Sequence, residues 1–223
     1  MSARDDILSN IRRSLGVSGT EAMRRQTVAD RLAASPRGVV PQRGQGEPAA
    51  QRALFKQMAE AAQASLSEIA SYADVPQAVA EYLRANNLPA TLKMGDDPRL
   101  TDLAWSATAL EVSRGRSHGD DLNAVSHAFA GVAESGTLIM ASGPDNPTTL
   151  NFLPDNHIVV VAAKDIAGDY ESVWTRLREH FGKGLMPRTV NMITGPSRSA
   201  DIEQTLLLGA HGPRRLHIIL VGS

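Results

Sequence analysis

The sequence predicts an α/β fold built on a largely parallel, mixed sheet. Four short apolar runs in the C-terminal half are each bounded by Gly, Pro, Asp or Asn, which is typical of buried strands. Helical patterns over 170–181 and 200–208 separate the later runs, and strands that alternate with helices form layered, mostly parallel sheets. Residues 142–157 have no helical pattern, so the first two strands can be antiparallel and the sheet mixed. The four predicted strands are 136–141, 158–162, 189–194 and 216–221.

The first 48 residues predict a basic helical arm and a linker ahead of an α/β domain over residues 49–223. Residues 2–15 and 21–34 have the apolar spacing of helices. Residues 35–48 carry three prolines and three glycines, which is typical of a linker. Because the first 52 residues hold nine Arg against five Asp or Glu, the arm either folds back on its own domain, stays flexible or docks on a partner.

The stretch between the linker and the strand-rich half predicts an alternation of helices and short strands. Its first helix is alanine-rich, with Leu54, Met58, Leu66 and Ile69 at helical intervals. The predicted helices are 49–72, 75–86, 102–107 and 121–132, and the predicted strands are 90–94 and 110–113.

Several functions are excluded by composition. Cysteine is absent, so the chain cannot hold an iron–sulfur cluster through thiolates, form a disulfide or use a cysteine nucleophile. Aromatic residues make up 4% of the chain and the net charge is -1, so no nucleic-acid surface is expected. The opening residues lack the apolar core of a signal peptide, and no apolar run approaches the roughly 20 residues of a membrane span. We therefore expect a cytoplasmic protein.

The segment Thr194–Glu203, TGPSRSADIE, is the first candidate site. A predicted strand ends at Thr194 and a predicted helix begins near Ala200, so backbone N–H groups and polar side chains point beyond the strand end. The alternative is a capped helix start with a polar turn, in which Ser199 is the N-cap. The candidate substrate- or anion-binding residues here are Gly195, Ser197, Arg198, Ser199, Asp201 and Glu203.

Three further polar turns are candidates. In GAHGPRR, His211 and Gly212 lie in a turn between a predicted helix and the last strand, where His211 is either an accessible site residue or purely structural. In AESGT, Glu134 can act as a general base or a nucleophile, or it is a solvated residue ending a helix; Gly136 and Thr137 follow it. In LPDNH, His157 is either an acid–base group or a hydrogen-bonding residue at the entry of a strand. The tentative catalytic residues are Glu134, His157 and His211. Gly136, Thr137 and Gly212 join the candidate substrate- or anion-binding residues.

No metal or nucleotide fingerprint is present. The six histidines are scattered, without an HExxH or His-x-His pattern, so no metal site is expected. Neither GxGxxG nor GxxxxGK[ST] occurs.

The segments AESGTLIMASG, LPDNHIVVV, TGPSRSADIE and GAHGPRRLHIILV stand in the order and spacing of a known domain. Over residues 49–221 the chain resembles the LUD-domain, lactate-utilisation protein C family. It departs mildly at Ser199, where Thr is common in the family, and at Ala210, where Val is common. The resemblance implies a three-layer α/β/α fold similar to the sugar-phosphate isomerase and CoA-transferase group.

The resemblance also implies a function. The chain would be a subunit without a cluster in a system that oxidises L-lactate to pyruvate, with iron–sulfur clusters on partner subunits and no cofactor of its own. One alternative is a free-standing enzyme on a phosphorylated or CoA-linked metabolite, with Glu134 or Glu203 as nucleophile or base and Arg198 or Arg214 as an anion clamp. Another is a binding module that senses a small molecule.

Overall fold

The chain divides between Val39 and Val40 into two units. The structure is a computed structural model that describes residues 2–200 and 206–222. The first unit holds two helices, α1 (Ala3–Leu15) and α2 (Ala22–Ala34), and neither contains a buried residue. The predicted domain boundary follows residue 48, whereas residues 40–48 belong to the second unit.

The second unit contains all the strands and four α-helices of the described residues. The helices are α3 (Pro48–Ala61), α4 (Val75–Ala85), α5 (Pro98–Thr101) and α6 (Tyr170–Phe181). The strands are β1 (Ser65–Ile69), β2 (Thr91–Met94), β3 (Glu111–Arg114), β4 (Asn123–His127), β5 (Ala130–Val132), β6 (Thr137–Ala141), β7 (Asn156–Ala162), β8 (Ile166–Ala167), β9 (Val190–Ile193), β10 (Arg198–Ala200), β11 (Leu206–Leu208) and β12 (Arg215–Val221).

A six-stranded sheet forms the centre of the second unit, in the order β1-β12-β7-β4-β2-β3. Every neighbouring pair in it is parallel. The strand β7 is apolar throughout its middle because both of its faces are covered. Val159 and Val161 pack with Phe55 of α3, whereas Ile158 and Val160 pack with α4 on the opposite face. The predicted three-layer α/β/α class with a mostly parallel sheet is therefore confirmed.

A second sheet, in the order β8-β5-β6-β9, packs beside this core. Its β5–β6 and β6–β9 pairs are antiparallel, and α6 covers it through Val173 and Leu177. The predicted strands over 136–141 and 189–194 thus lie in this sheet, away from β7 and β12. The antiparallel neighbours of β6 are β5 and β9.

Three predicted helices were wrong. Residues 121–132 form β4 and β5, in which every side chain is buried, so the apolar spacing came from burial on both faces and not from a helix. The helix predicted over 49–72 ends at Ala61, and Leu66 and Ile69 lie on β1. In place of the helix over 102–107, α5 begins at Pro98 after an Asp cap, and a single 3-10 turn follows at 105–107.

The helix predicted over 200–208 was also wrong at both of its described ends. Strands β10 and β11 pair antiparallel there, with Arg198 opposite Leu208 and Ala200 opposite Leu206. Residues 201–205 lie outside the described residues. Since Ser199 lies within β10, it does not cap a helix, and the anion site predicted at a helix N-terminus loses its geometric basis.

None of the helices in the described ranges 2–200 and 206–222 is both long and apolar enough to cross a lipid bilayer.

Candidate functional site

Two of the predicted ligand-binding glycines lie against the backbone of α3. Both have positive φ angles, +66° at Gly136 and +71° at Gly195. A methyl group added at Gly136 would lie 2.3 Å from the Ala59 amide nitrogen, and one at Gly195 would lie 2.0 Å from the Ala62 carbonyl oxygen. Glycine is required at both positions because no side chain fits there. These residues fix the approach of two strand ends to α3.

Thr137 joins a cluster of hydroxyl groups. Its Oγ1 lies 2.7 Å from Ser135 Oγ, 2.7 Å from Tyr170 Oη and 2.6 Å from Thr194 Oγ1. Thr137 itself is fully buried. The cluster ties the start of β6 to the end of β9 and the first turn of α6.

Glu134 lies beside this cluster. Its Oε1 accepts a hydrogen bond from the Tyr170 backbone N–H at 3.1 Å, where a carboxylate complements the positive end of α6. Its Oε2 is buried, and the described residues offer it no hydrogen-bond donor. Glu134 and Thr137 are thus brought together through one residue, Tyr170.

His157 lies inside the core. It is 1% exposed, and its Nε2 lies 3.1 Å from Ser126 Oγ on the neighbouring β4. Burial lowers the pKa of His157 to about 3, so the ring is neutral at neutral pH. A ligand in solvent cannot reach this ring without opening the sheet, and His157 acts as a packing residue here.

The loops that carry Ser197 and His211 meet at the amino edge of the parallel sheet. The His211 backbone N–H donates to Ser197 Oγ at 3.3 Å, and the Ser197 N–H donates to the Pro213 carbonyl at 2.8 Å. The Arg214 N–H reaches the Asp155 carbonyl, so the loop before β7 joins them. The structure therefore brings TGPSRS, GAHGP and LPDNH together, whereas Glu134 lies beside α6 and His157 lies in the core.

The remaining predicted residues are placed as follows. Gly212 packs against Ser197 and is half-buried, and the Arg198 side chain is exposed. The Ser199 side chain, Asp201 and Glu203 fall outside what the structure describes.

A cavity of about 580 Å³, which the sequence motifs do not predict, lies at the opposite, carboxyl edge of the sheet. It forms where β4 ends at His127, with side chains from the segments that follow β2, β6 and β7 and from the last turns of α6. In parallel α/β sheets ligands bind outside this edge. The polar and aromatic lining residues used below are Arg99, His127, Phe129, Asp145, Asn146, Asp165, Arg176, His180 and Phe181.

Arg99 is held in place at the cavity by Asp97. The Asp97 carboxylate caps α5 by accepting the Arg99 N–H, and it also accepts the Arg99 Nε at 2.9 Å and Nη2 at 2.6 Å. Burial would raise the pKa of Asp97, but hydrogen bonding and charge from Arg99 outweigh it and hold the pKa below its usual value. Asp97 is 2% exposed, whereas the Arg99 side chain is 46% exposed, so the fixed guanidinium faces the cavity.

His127 sits behind Arg99 in a defined tautomer. Its Nδ1 lies 2.7 Å from the Ala128 carbonyl, which only accepts, so Nδ1 carries the hydrogen and Nε2 accepts from the Tyr72 hydroxyl at 2.7 Å. Burial, followed by the charge of Arg99, lowers the pKa of His127 to about 4. Burial likewise raises the pKa of Tyr72. The pair is neutral at neutral pH, and of the two residues His127 lines the cavity.

The sequence contained one usable signal for this edge. The strand predicted over 90–94 is followed, two residues later, by Asp97, Pro98 and Arg99, a polar helix start after a strand end. The helical pattern over 121–132 conceals that His127 is a second strand end beside it.

No metal centre emerges from this geometry: among residues 2–200 and 206–222, no three His, Asp or Glu side chains are grouped to hold an ion.

The fold is that of an α/β protein with a cavity at the carboxyl edge of its parallel sheet, the edge at which such sheets commonly bind ligands. The chain belongs to the LUD domain family, whose sequence profile matches residues 52–221. This confirms the resemblance found in the motifs.

Curated relatives share part of the chain. A lactate utilization protein C from Geobacillus thermodenitrificans is 32% identical over 144 residues, covering 56% of this chain and 60% of the relative. A protein of the same name from Bacillus subtilis is 37% identical over 93 residues, covering 41% of this chain and 39% of the relative. The matched segments thus span less than two thirds of either relative.

A solved structure supports the fold. The crystal structure of a DUF162 family protein from Deinococcus radiodurans superposes with a TM-score of 0.56 and 24% identity, covering 79% of this chain and 99% of that one. At this identity the likeness concerns the fold alone.

Proposed function

We propose that this protein acts in lactate utilisation, as a subunit without a redox centre in a system that oxidises L-lactate to pyruvate. The observation that carries the proposal is the similarity of the LUD domain to proteins named lactate utilization protein C. The chain contributes a binding surface, and the electron-transferring centres lie on partner subunits. The assembly is cytoplasmic under this proposal.

The composition of the chain supports this division of labour. Oxidation of L-lactate removes two electrons and two protons, so an electron acceptor is required. Iron–sulfur clusters are held mainly by cysteine thiolates, and this chain has no cysteine. Clusters that accept the electrons would therefore be bound by other chains.

Purification of the tagged full-length protein from its native cells, grown on L-lactate, tests the proposal. Cysteine-rich, iron-containing proteins are expected to accompany it, identified by mass spectrometry and iron analysis. The matched control is the same purification from cells that express the tag alone.

Two results would contradict the proposal. One is oxidation of L-lactate by the isolated chain with an artificial electron acceptor. The other is normal growth on L-lactate as sole carbon source after disruption of the gene, with complementation as the control.

A further inference from the structure

We infer that the carboxyl-edge cavity binds a nucleoside monophosphate. The phosphate would lie toward Arg99 and Arg176. The sugar hydroxyls would face Asn146, Asp145 and Asp165, and the base would stack against Phe129 and Phe181. This site goes beyond the proposed function and does not depend on it. The case rests on the donors, acceptors, aromatic surface and volume of the cavity.

The phosphate end is defined by two anchored guanidinium groups. Arg99 donates hydrogen bonds to Asp97 from Nε and from Nη2. Because a guanidinium group has five N–H donors, the remaining ones can donate to a ligand. Arg176 is fixed by its Nη1, which donates to the Asp165 carbonyl at 3.1 Å. Fixed guanidinium groups recognise phosphate with little loss of side-chain entropy. Side chains would thus replace the glycine-rich loop that the sequence lacks.

The acceptors in the cavity favour a ligand with hydroxyl groups. Asn146 is 3% exposed and anchors its Nδ2 on the Ala141 carbonyl, while its buried Oδ1 has no donor among the described residues. Such an oxygen costs free energy until a donor reaches it. Asp145 and Asp165 also line the cavity and offset the two arginines. A plain anion would leave these acceptors unused, whereas a ribose supplies donors for them.

Aromatic side chains form one wall. Phe129 and Phe181 lie with ring centroids 6.3 Å apart, and His180 packs edge-on to both. Aromatic rings are sequence-tolerant stacking surfaces for bases. A cavity of about 580 Å³ is also far larger than L-lactate or inorganic phosphate requires, and lies within the range for ligands of nucleotide size.

Isothermal titration calorimetry of the full-length protein tests the site with four probes: AMP, ribose 5-phosphate, inorganic phosphate and L-lactate. AMP is expected to bind most tightly, with an affinity about tenfold or more higher than that of phosphate or lactate. Arg176→Gln should weaken AMP binding about tenfold or more, because it removes a charged hydrogen bond. Arg178→Gln, on the same helix but outside the cavity lining, is the matched control and should leave binding unchanged.

Phe181→Ala separates base recognition from phosphate recognition. It should weaken AMP binding about fivefold or more while leaving ribose 5-phosphate unaffected. Amide chemical-shift mapping of the unmodified protein provides a readout that needs no variant, since AMP should shift the signals of Arg99, Asn146 and Phe181 and spare those of 206–214.

Three outcomes overturn the inference: no binding of AMP, equal affinity for phosphate or lactate, or unchanged AMP affinity in a folded Arg176→Gln protein. If Phe181→Ala weakened the binding of ribose 5-phosphate as much as that of AMP, the placement of the base would be refuted.

Discussion

Lowering the pH from 7.5 to 5 is expected to destabilise the folded chain through three buried histidines. His127, His157 and His217 are 3%, 1% and 6% exposed. Burial lowers their pKa values to about 4, about 3 and about 4, with the charge of Arg99 as a second cause at His127. All three rings are therefore neutral in the folded state at pH 5, although an unfolded histidine is largely protonated there.

The sign and size follow from proton linkage. Because each folded pKa lies below the unfolded value of about 6.5, the unfolded chain binds more protons, and stability is lost as the pH falls from about 6.5 toward 4. At 1.36 kcal/mol for each pH unit, each histidine lowers the free energy of unfolding by about 2 kcal/mol at pH 5. Together they remove about 6 kcal/mol, which is comparable with the whole stability of many domains.

Urea denaturation at pH 7.5, 6 and 5, followed by circular dichroism, measures this loss. His157→Leu should reduce the loss between pH 7.5 and 5 by about 2 kcal/mol, because one of the three groups no longer titrates. At pH 7.5 the same variant should be about 1–3 kcal/mol less stable, because Ser126 Oγ loses its partner.

Val159→Ala, on the same face of β7, is the control for a purely packing effect. It should lower stability equally at each pH. The reasoning is refuted if the unmodified chain unfolds with the same free energy at pH 7.5 and 5, or if His157→Leu leaves the pH dependence unchanged.

Three further changes test individual contacts, each by urea denaturation. Gly195→Ala should lower the free energy of unfolding by at least about 3 kcal/mol, because the methyl group would clash with the backbone at the end of α3. Gly184→Ala is the control: with φ +79° and nothing within 4 Å, it should cost only about 1–2 kcal/mol. Equal costs would contradict the close approach of Gly195 to α3. Thr137→Val should cost about 1–3 kcal/mol by removing a buried hydroxyl with three partners, and an unchanged stability would contradict the cluster. Asp97→Asn should cost about 1–2 kcal/mol, because Arg99 is half-exposed and solvent screens part of the pair. The same variant should weaken AMP binding, and unchanged affinity would show that Asp97 does not position Arg99.

Much of the element pattern could be predicted from local chemistry. The helix α1 is bounded by a Ser2 capping box and a left-handed Gly16, and the apolar run of β7 is limited by polar residues at its start. The motifs TGPSRS, LPDNH and GAHGP were also found from the sequence, and the structure brings these three loops together.

The sequence misled where burial on two faces hides periodicity. In β4 all five residues are buried, so polar and apolar residues do not alternate with solvent exposure. Ser126 and His127 satisfy their hydrogen bonds inside the fold, at His157 and Tyr72 respectively. Those partners are far apart along the chain, and no local pattern records them.

By itself the sequence determined where many of the strands and helices lie, the absence of thiolate ligands and membership of the LUD family. Only the tertiary structure decided that β6 and β9 belong to a second sheet and not to the parallel one. It also decided that one cavity is lined by Arg99, His127, Asn146 and Arg176. The physical reason is that strand order minimises exposed apolar surface over the whole unit, a global quantity. The edge of the sheet at which a given side chain lies therefore depends on the order and direction of all the strands.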